Sequence, residues 1–443
     1  MLPGRRRRRT AAPPRRQRRP YGRRRRRDPR PAALLRDRPV RQHPRVRAVR
    51  GEPLVNALVL RAQWQPRDAD GAVAEGRGSS GIRVASRGSR AWREPKITLE
   101  QRADPSPAAD EVVIRVRAVG ICGSDLHFAE RDPDGYMLYP GMVGTPVVTG
   151  HEFSGVVEAV GSEVRDLVVG DAVCAEEIAW CGECFACRSG RPNNCTRLEE
   201  LGFTFDGAHA EFVATRARYC WSLAPLFEAG FPADRAFELG ALVEPTAVAY
   251  IGLFVSAGGF QPGSRVGVVG AGPIGLAAIA LARASGAGRI LAFEVSDGRR
   301  GLARKVGADE AYDPSALGSE GIATQARESS RGKGLDVWVE ASGAAGVTEQ
   351  MASTLAPGGR LVLLGRGPHR VDLDPEWLIV RSASMHGSIG HSGSGAFGRV
   401  IDLMAAGRLP MADIISRRVD LKGGLALLDG TPRRESGKTI IRP

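Results

Sequence analysis

Long apolar runs are scarce in this chain, and their scarcity argues against a membrane protein. The run Val266–Ala282 carries no charge, but it has only 17 residues and is closed by Arg265 and Arg283. A membrane-spanning helix needs about 20 such residues, so we expect no span and no membrane partner. No apolar stretch follows the Arg-rich start of the chain, so we expect no signal peptide and predict a cytoplasmic protein.

Cysteine is also scarce, and its seven residues are too clustered for a secreted disulfide framework. Four of them, Cys181, Cys184, Cys187 and Cys195, follow the spacing C-x2-C-x2-C-x7-C. Four thiolates suit tetrahedral Zn²⁺ and leave no open coordination position, so the spacing predicts a structural zinc site. Free cysteines and an iron–sulfur cluster are the alternatives.

Lysine is nearly absent, with 5 Lys against 58 Arg, and the positive charge is concentrated at the start of the chain. Residues 1–54 hold 21 Arg and three acidic residues, whereas the remaining body holds 42 basic and 46 acidic residues. The mildly acidic body argues against a nucleic-acid-binding enzyme. We interpret residues 1–54 as a disordered tail, most simply an over-extended start with the native start near Val55. A genuine disordered tail and a basic arm for nucleic acid are the alternatives.

Hydrophobic residues make up 42% of the chain and glycine is abundant, which fits a loop-rich α/β enzyme. Residues 111–120 and 150–161 alternate in the manner of strands, and the pattern changes near residue 245 to apolar strands alternating with Ala-rich helix. We therefore predict a β-rich domain over residues 55–244, a doubly wound parallel-sheet domain over 245–388 and a C-terminal return over 389–443.

A G-x-G-x-x-G turn lies between a predicted strand and a predicted helix, which is the arrangement that binds a dinucleotide. The predicted cofactor-binding residues of this turn are Gly270, Gly272, Pro273, Ile274 and Gly275. The helix that they open presents free N–H groups to a pyrophosphate. Glu294 ends the next strand, 24 residues after Gly270, where a carboxylate would accept the ribose hydroxyls of NAD and repel a 2′-phosphate. Arg299 and Arg300 follow closely and leave NADP as the alternative.

A second set of possible zinc ligands is spread over three segments. The segment GICGSDLH contains Cys122, and the segment GHEFSG contains His151 followed by Glu152. A catalytic zinc takes about three protein ligands and keeps one exchangeable position. Cys122 and His151 are the first two candidates, and either Glu152 or Glu244 supplies the third. His391, in the Gly-rich segment GHSGSG, is a candidate to line the cleft.

Together these motifs resemble the zinc-dependent medium-chain alcohol dehydrogenase family over about residues 94–443. The resemblance implies a GroES-like catalytic domain, a Rossmann domain that binds NAD, one catalytic and one structural zinc, and a homodimer or homotetramer. In such enzymes the C-terminal segment rejoins the first domain.

The resemblance also implies roles for individual residues. Ser124 is expected to take the substrate proton and His127 to form the outer end of that proton relay. Glu152 would act as a zinc ligand or as an exchange partner for zinc-bound water, and Glu244 matches a glutamate ligand of the polyol-oxidising branch. Asp125 would orient the imidazole of His151.

Two further positions concern the dinucleotide. Gly123 stands where some family members have an Arg that binds the pyrophosphate, so the charge must come from elsewhere. Lys438 is the candidate for that role, and Arg299 completes the predicted cofactor-binding set.

The predicted function is therefore oxidation of a secondary alcohol to a ketone by hydride transfer to NAD. Segments such as GYMLYPGMVGTPVVTGHEFSG look like the branch that oxidises cyclitols such as scyllo-inosose. The substrate is thus expected to be a cyclitol or an aminocyclitol. A sorbitol- or L-threonine-type dehydrogenase is the alternative within the family, and a nucleic-acid-binding protein that uses the Arg-rich tail is the alternative outside it.

Overall fold

A computed structural model describes residues 54–67, 75–78, 81–367, 369–431 and 437–443. The prediction of a disordered tail over residues 1–54 lies outside these residues, apart from Leu54, which begins the first strand. The same holds for the nucleic-acid-binding arm, which would use the same Arg-rich residues.

The first half of the chain contributes thirteen strands among the described residues. They are β1 (Leu54–Trp64), β2 (Glu75–Arg77), β3 (Arg83–Ala85), β4 (Trp92–Ala103), β5 (Glu111–Gly120), β6 (Val143–Thr145), β7 (Val147–Val148), β8 (Glu152–Val160), β9 (Ala172–Ala175), β10 (Ile178–Ala179), β11 (Glu199–Glu200), β12 (Phe212–Arg216) and β13 (Cys220–Ser222). Eight more follow: β14 (Arg265–Val269), β15 (Arg289–Phe293), β16 (Glu310–Tyr312), β17 (Leu335–Glu340), β18 (Leu355–Leu363), β19 (Ser384–Gly387), β20 (Ile415–Val419) and β21 (Lys438–Ile441).

The α-helices of the described residues are mostly short. They are α1 (Gly88–Ala91), α2 (Gly123–Ala129), α3 (Phe185–Arg188), α4 (Ala224–Glu228), α5 (Ala233–Ala241), α6 (Val243–Tyr250), α7 (Pro273–Ala284), α8 (Asp297–Val306), α9 (Gly321–Ser329), α10 (Val347–Ser353), α11 (Glu376–Ile379), α12 (Ala396–Ala405) and α13 (Leu421–Leu427). A π-helical segment, Ile251–Ser256, continues α6, and 3₁₀ turns lie at Pro192–Asn194, Ala217–Tyr219, Pro314–Ala316 and Met411–Ile414.

The second region of the chain, from β14 to β19, is a six-stranded parallel sheet in the order β16-β15-β14-β17-β18-β19. This order reverses direction at β14, which is the topology of a Rossmann fold and places a binding crevice at the carboxyl ends of β14 and β17. Trp338 of β17 is fully buried, and Gly267 of the neighbouring β14 leaves room for its ring, since an added Cβ would lie 2.3 Å from it. The predicted α/β fold with a doubly wound parallel sheet is therefore confirmed.

The first region is a mainly antiparallel sheet in the order β13-β9-β8-β5-β21-β20, with β12 also paired to β5. The order shows that the last strand of the chain returns to the first region, because β21 pairs with the end of β5 through Ile440 opposite Gly120 and Ile441 opposite Val119. The predicted domain boundary at residues 244 and 245 falls inside α6. A proline in the first turn of a helix needs no N–H partner, so Pro245 does not interrupt it.

No single helix of the described residues is long and apolar enough to cross a membrane. One helix pair, Ala233–Ala241 with Val243–Ser256, reaches the length and apolar composition of a membrane span only when both helices are counted together, and the two are bent by 42°.

The return strand predicts a stability test. Ile441 is fully buried in the core of the first region, so Ile441→Ala should lower the free energy of unfolding by about 2–5 kcal/mol through lost contacts and a cavity. Urea denaturation of the zinc-loaded protein measures this change. Val168→Ala is the control, because Val168 is 56% exposed and its loss should change stability by less than about 0.5 kcal/mol. Equal changes in the free energy of unfolding of the two variants would contradict the burial of Ile441 where β21 pairs with β5.

Candidate active site and zinc lobe

The four predicted cysteine ligands meet in one lobe around α3, which we call the Cys lobe (residues 181–195). Their sulfur atoms lie 3.5 Å apart for Cys184 and Cys187, and 3.9 Å apart for both Cys181–Cys187 and Cys184–Cys195. Four sulfurs bound to one zinc at 2.3 Å would lie about 3.8 Å from each other. All four cysteines are free of disulfides. The donor set therefore fits a tetrahedral zinc.

Backbone N–H groups favour the thiolate forms of Cys181 and Cys184 in this lobe, whereas burial raises the pKa of Cys187 to about 12. The N–H groups of Glu183 and Cys184 each lie 3.4 Å from the Cys181 sulfur, and the Arg197 N–H lies 3.3 Å from the Cys195 sulfur. Backbone hydrogen bonds lower the pKa of Cys181 to about 7 and that of Cys184 to about 5. Lowered thiol pKa values help a metal to displace the protons.

The second predicted set of ligands meets at the start of α2 and the start of β8. The ligand atoms of Cys122, His151 and Glu152 all lie within 4.8 Å of one another. Cys122 caps α2, and its backbone N–H donates to Asp125 Oδ2 at 2.9 Å. The other oxygen of Asp125 lies 3.7 Å from His151 Nδ1, and both atoms are buried without a hydrogen-bond partner among the described residues. This arrangement leaves the second ring nitrogen of His151 for a metal, with Asp125 behind the ring.

Ser124 and His127 lie three residues apart on α2. The Ser124 hydroxyl oxygen is buried and has no hydrogen-bond partner within the described part of the chain. His127 is half-exposed, and its Nδ1 lies 2.6 Å from Glu130 Oε2. Residues three apart share one face of a helix, so the pair can connect the buried site with solvent.

Lys438 is placed differently from the prediction. Its ammonium is 1% exposed and donates to both oxygens of Glu152, at 2.7 Å to Oε1, and to the carbonyl oxygen of Ile121 at 3.0 Å. Strand β21 thus holds the ammonium at the cluster of Cys122, His151 and Glu152, and the structure does not bring it to the turn at Gly270. Gly120 opposite Glu152 leaves space for this pair, because an added Cβ would lie 2.2 Å from Glu152 Oε2.

Glu244 belongs to a second buried cluster, which we call the acidic triad (Glu177, Glu244 and His391). His391 Nε2 donates to Glu177 Oε2 and lies 3.5 Å from Glu244 Oε1. Burial raises the pKa of Glu244 to about 7. Burial alone would lower the pKa of His391, but the Glu177 carboxylate raises it to about 9. The charge of Glu152 raises the Glu244 pKa and that of His151 lowers it, so the triad lies within electrostatic range of the first cluster.

Glu177 was not predicted from the sequence. It lies in the segment CAEEIAW just before the Cys lobe, where no metal-ligand spacing includes it. His391 was predicted only as a residue that could line the cleft.

The dinucleotide turn follows β14 and opens α7, as predicted. Gly270 has φ +87°, and an added Cβ on Gly275 would lie 1.8 Å from the carbonyl oxygen of Gly270. No side chain caps α7, an added Cβ on Gly272 would meet nothing within 4 Å, and Pro273 and Ile274 form the first turn. The uncapped helix end and the open space at Gly272 fit a pyrophosphate.

Glu294 lies at the end of β15, beside this turn. Its carboxylate accepts hydrogen bonds from the backbone N–H of Ala271 at 2.8 Å and of Ser296 at 3.0 Å. Arg299 Nη1 lies 4.0 Å from Glu294 Oε2, whereas Arg300 donates to the carbonyl oxygens of Glu294 and Val295 at 2.8 Å. Glu294 therefore has the position expected of a ribose-binding carboxylate.

Comparison with known proteins identifies the class. Residues 108–225 match the family "Alcohol dehydrogenase GroES-like domain", and residues 273–406 match the family "Zinc-binding dehydrogenase". The chain belongs to the zinc-binding alcohol dehydrogenase family. It is an oxidoreductase, and the predicted class of zinc-binding dehydrogenase is confirmed.

Individual relatives resemble the chain over most of its length. The scyllo-inosose 3-dehydrogenase of Thermotoga maritima is 40% identical over 408 residues, covering 88% of this chain and 98% of that protein. The L-threonine 3-dehydrogenase of Pyrococcus abyssi is 35% identical, covering 71% and 85%.

Solved structures agree with this assignment. A chain from Thermotoga maritima, described as a candidate alcohol dehydrogenase, has a TM-score of 0.82 and 38% identity, covering 88% of this chain and 100% of its own. A candidate zinc-binding dehydrogenase from Sinorhizobium meliloti bound to NADP has a TM-score of 0.68 and 30% identity, covering 79% and 96%.

The Cys lobe predicts a change in metal content. Cys184→Ser should reduce bound zinc from two to one per subunit and lower the melting temperature, because the remaining three thiolates hold the metal less tightly. Elemental analysis and thermal unfolding measure both effects. Cys220→Ser is the control, since Cys220 lies on β13 outside both clusters and should leave two zinc ions. Two zinc ions in the Cys184 variant would be inconsistent with the site.

Proposed function

We propose that this protein oxidises a secondary alcohol of a cyclitol or aminocyclitol to a ketone, with NAD as the hydride acceptor. The supporting observation is the pairing of a zinc-type cluster, Cys122 with His151 and Glu152, with an unpartnered buried hydroxyl at Ser124. The similarity to a scyllo-inosose 3-dehydrogenase supports the substrate class.

The residues of the chain account for substrate activation as follows. When bound, zinc would act as a Lewis acid on the alcohol oxygen, and the nicotinamide would accept the hydride. Ser124 Oγ accepts the proton of the alcohol as its own hydroxyl proton moves on towards half-exposed His127, which releases a proton to solvent from the same face of α2. Asp125 holds His151 in orientation.

The third zinc ligand is proposed to be Glu152, with Glu244 as its partner for ligand exchange. Glu152 groups with Cys122 and His151, whereas Glu244 groups with the acidic triad. The ion pair with Lys438 compensates the charge of Glu152, and Glu244 remains without any hydrogen bond from a described residue. A carboxylate in that state can move towards a metal or a substrate without losing protein partners.

NAD is preferred over NADP in this proposal because Glu294 stands where the adenosine ribose would bind. Its charge would repel a 2′-phosphate. The nearby Arg299 supports the alternative, and a related structure is bound to NADP. Arg300 is occupied by backbone oxygens and by Asp313, so it is poorly placed to bind a phosphate.

A homodimer or homotetramer is also proposed. Apolar side chains lie exposed around β19, the edge strand of the parallel sheet, among them Ile379, Val380, Met385 and Ile389. A second copy of the chain would cover this edge and its unpaired backbone groups. The cytoplasmic location stays a prediction. A sorbitol- or L-threonine-type substrate is the second candidate, supported by the relative that is an L-threonine 3-dehydrogenase.

The cofactor preference gives one test. Glu294→Gln removes the charge but keeps an oxygen for the N–H of Ala271, so the ratio of kcat/KM for NAD to that for NADP should fall about tenfold or more, or about 1.4 kcal/mol. Asp297→Asn is the control, because this nearby carboxylate is 93% exposed and should leave the ratio unchanged. An unaltered ratio in the Glu294 variant would exclude its role.

The substrate class gives another test. Full-length enzyme is assayed for NADH formation with myo-inositol, scyllo-inosose, 2-deoxy-scyllo-inosamine, sorbitol and L-threonine, with and without a zinc chelator. We expect a chelator-sensitive signal with a cyclitol or aminocyclitol. Cys122→Ala should abolish this turnover yet still bind NADH by fluorescence titration. Activity on sorbitol or threonine alone would retain the class of reaction and exclude the proposed substrate.

A further inference from the structure

The acidic triad is assembled from three distant parts of the chain. Glu177 lies between β9 and β10, Glu244 lies in the first turn of α6, and His391 lies in the loop after β19. Their exposed fractions are 7%, 6% and 1%. Such burial of two carboxylates is costly unless cations or hydrogen-bond donors surround them.

Among the described residues, His391 is the only cationic group within 4 Å of the Glu177 and Glu244 carboxylates, and it does not satisfy both. It bonds Oε2 of Glu177, but no described residue donates to Oε1 of Glu177 or to either oxygen of Glu244. These oxygens are not among the fully buried atoms that lack a partner, so they keep access to solvent and can accept a hydrogen bond from a molecule that enters the site.

The triad lies within electrostatic range of the cluster of Cys122, His151 and Glu152. Glu177 interacts electrostatically with His151, and Glu244 with His151 and Glu152. A substrate whose alcohol oxygen lies at the Cys122–His151 cluster could therefore extend a neighbouring substituent towards the triad.

The loop that carries His391 is fixed by the Cys lobe. Asn193 donates from Nδ2 to the carbonyl oxygen of Ser392 at 3.1 Å, and Asn193 Oδ1 accepts from the Ser392 N–H at 2.9 Å. Gly390 has φ +71°, and an added Cβ there would lie 2.6 Å from Asn193 Oδ1. This two-bond clamp holds His391 at the position from which it meets Glu177.

We propose that Glu177 is a specificity-determining residue that accepts a hydrogen bond from a hydroxyl or ammonium group next to the oxidised carbon. His391 and Asn193 are positioning residues: His391 orients Glu177, and Asn193 sets the loop that carries His391. This inference rests on the proposed oxidation of a cyclic polyol, and it narrows the substrate class to alcohols with a neighbouring donor substituent.

The test compares small cyclic alcohols that differ in one donor: cyclohexanol, trans-cyclohexane-1,2-diol and trans-2-aminocyclohexanol. Glu177→Gln should reduce kcat/KM about 10- to 100-fold for the diol or the amino alcohol, mainly through KM, and less than threefold for cyclohexanol. A larger effect on the amino alcohol than on the diol indicates an ammonium ligand, and the reverse indicates a hydroxyl. Equal reductions for all three alcohols would overturn the proposal.

A binding measurement keeps the test independent of turnover. Calorimetric titration of each alcohol into the NADH-bound, zinc-loaded enzyme should show the same selective loss of affinity in Glu177→Gln. Glu176→Gln is the matched control, because Glu176 is the adjacent buried carboxylate and accepts from Trp180 at 3.2 Å and Trp221 at 3.0 Å. A similar loss of diol affinity in the control would overturn the assignment to Glu177.

Asn193 variants test the positioning role. Asn193→Ala should give a smaller loss with the same selectivity, with two zinc ions per subunit retained, and Asn193→Asp should lie between it and wild type because it keeps one bond of the clamp. Loss of zinc without a change in selectivity would refute positioning. A third zinc per subunit in wild type would show that the triad binds metal instead. Failure of the proposed function is a different result, namely no activity of the wild-type enzyme on any cyclitol. In that case the three simple alcohols can still be compared, so the two failures are distinguishable.

Discussion

The buried ion pair between Lys438 and Glu152 joins strand β21 to the edge of the first sheet that carries the cluster of Cys122, His151 and Glu152. Both side chains are 1% exposed, and the pair forms where β21 lies against the end of β5. Removing one partner of such a pair leaves an uncompensated buried charge, at a cost of about 3–5 kcal/mol. The same contact therefore closes the first region and fixes Glu152 beside Cys122 and His151.

Negative charge dominates the rest of the site. Asp125, Glu152, Glu177 and Glu244 are all buried within one neighbourhood, and burial also raises the pKa of adjacent Glu200 to about 8. Lys438 and His391 supply only part of the balancing positive charge. An excess of carboxylates over cations favours a divalent metal and hydrogen-bond donors at this site over anionic groups.

Local spacing predicted the parts of the site that a single turn or helix builds. The Cys lobe, the turn from Gly270 to Gly275 and the start of α2 each bring their residues together over fewer than twenty positions, so the sequence pattern contains the geometry. Contacts between distant segments carry no such pattern. The sequence assigned Lys438 to the pyrophosphate because Gly123 left that group without its usual Arg, and only strand pairing shows that Lys438 contacts Glu152. Glu177 was missed for the same reason, since its partner His391 is 214 residues away.

The hydrogen bonds between Asn193 of the Cys lobe and Ser392 connect the predicted structural zinc site with the acidic triad. The loop after β19 has left-handed backbone at Gly390, Gly393, Ser394 and Gly395. Glycine loses more conformational entropy than other residues when a loop becomes ordered, so this loop is costly to fix in one conformation. Its polar anchor is the side chain of Asn193, two residues from Cys195, so the order of the loop depends on the order of the lobe. A lobe held by four thiolates on one metal is rigid without a large hydrophobic core. A zinc ion bound by the Cys lobe would thereby stabilise one arrangement of His391 and Glu177 without touching either residue.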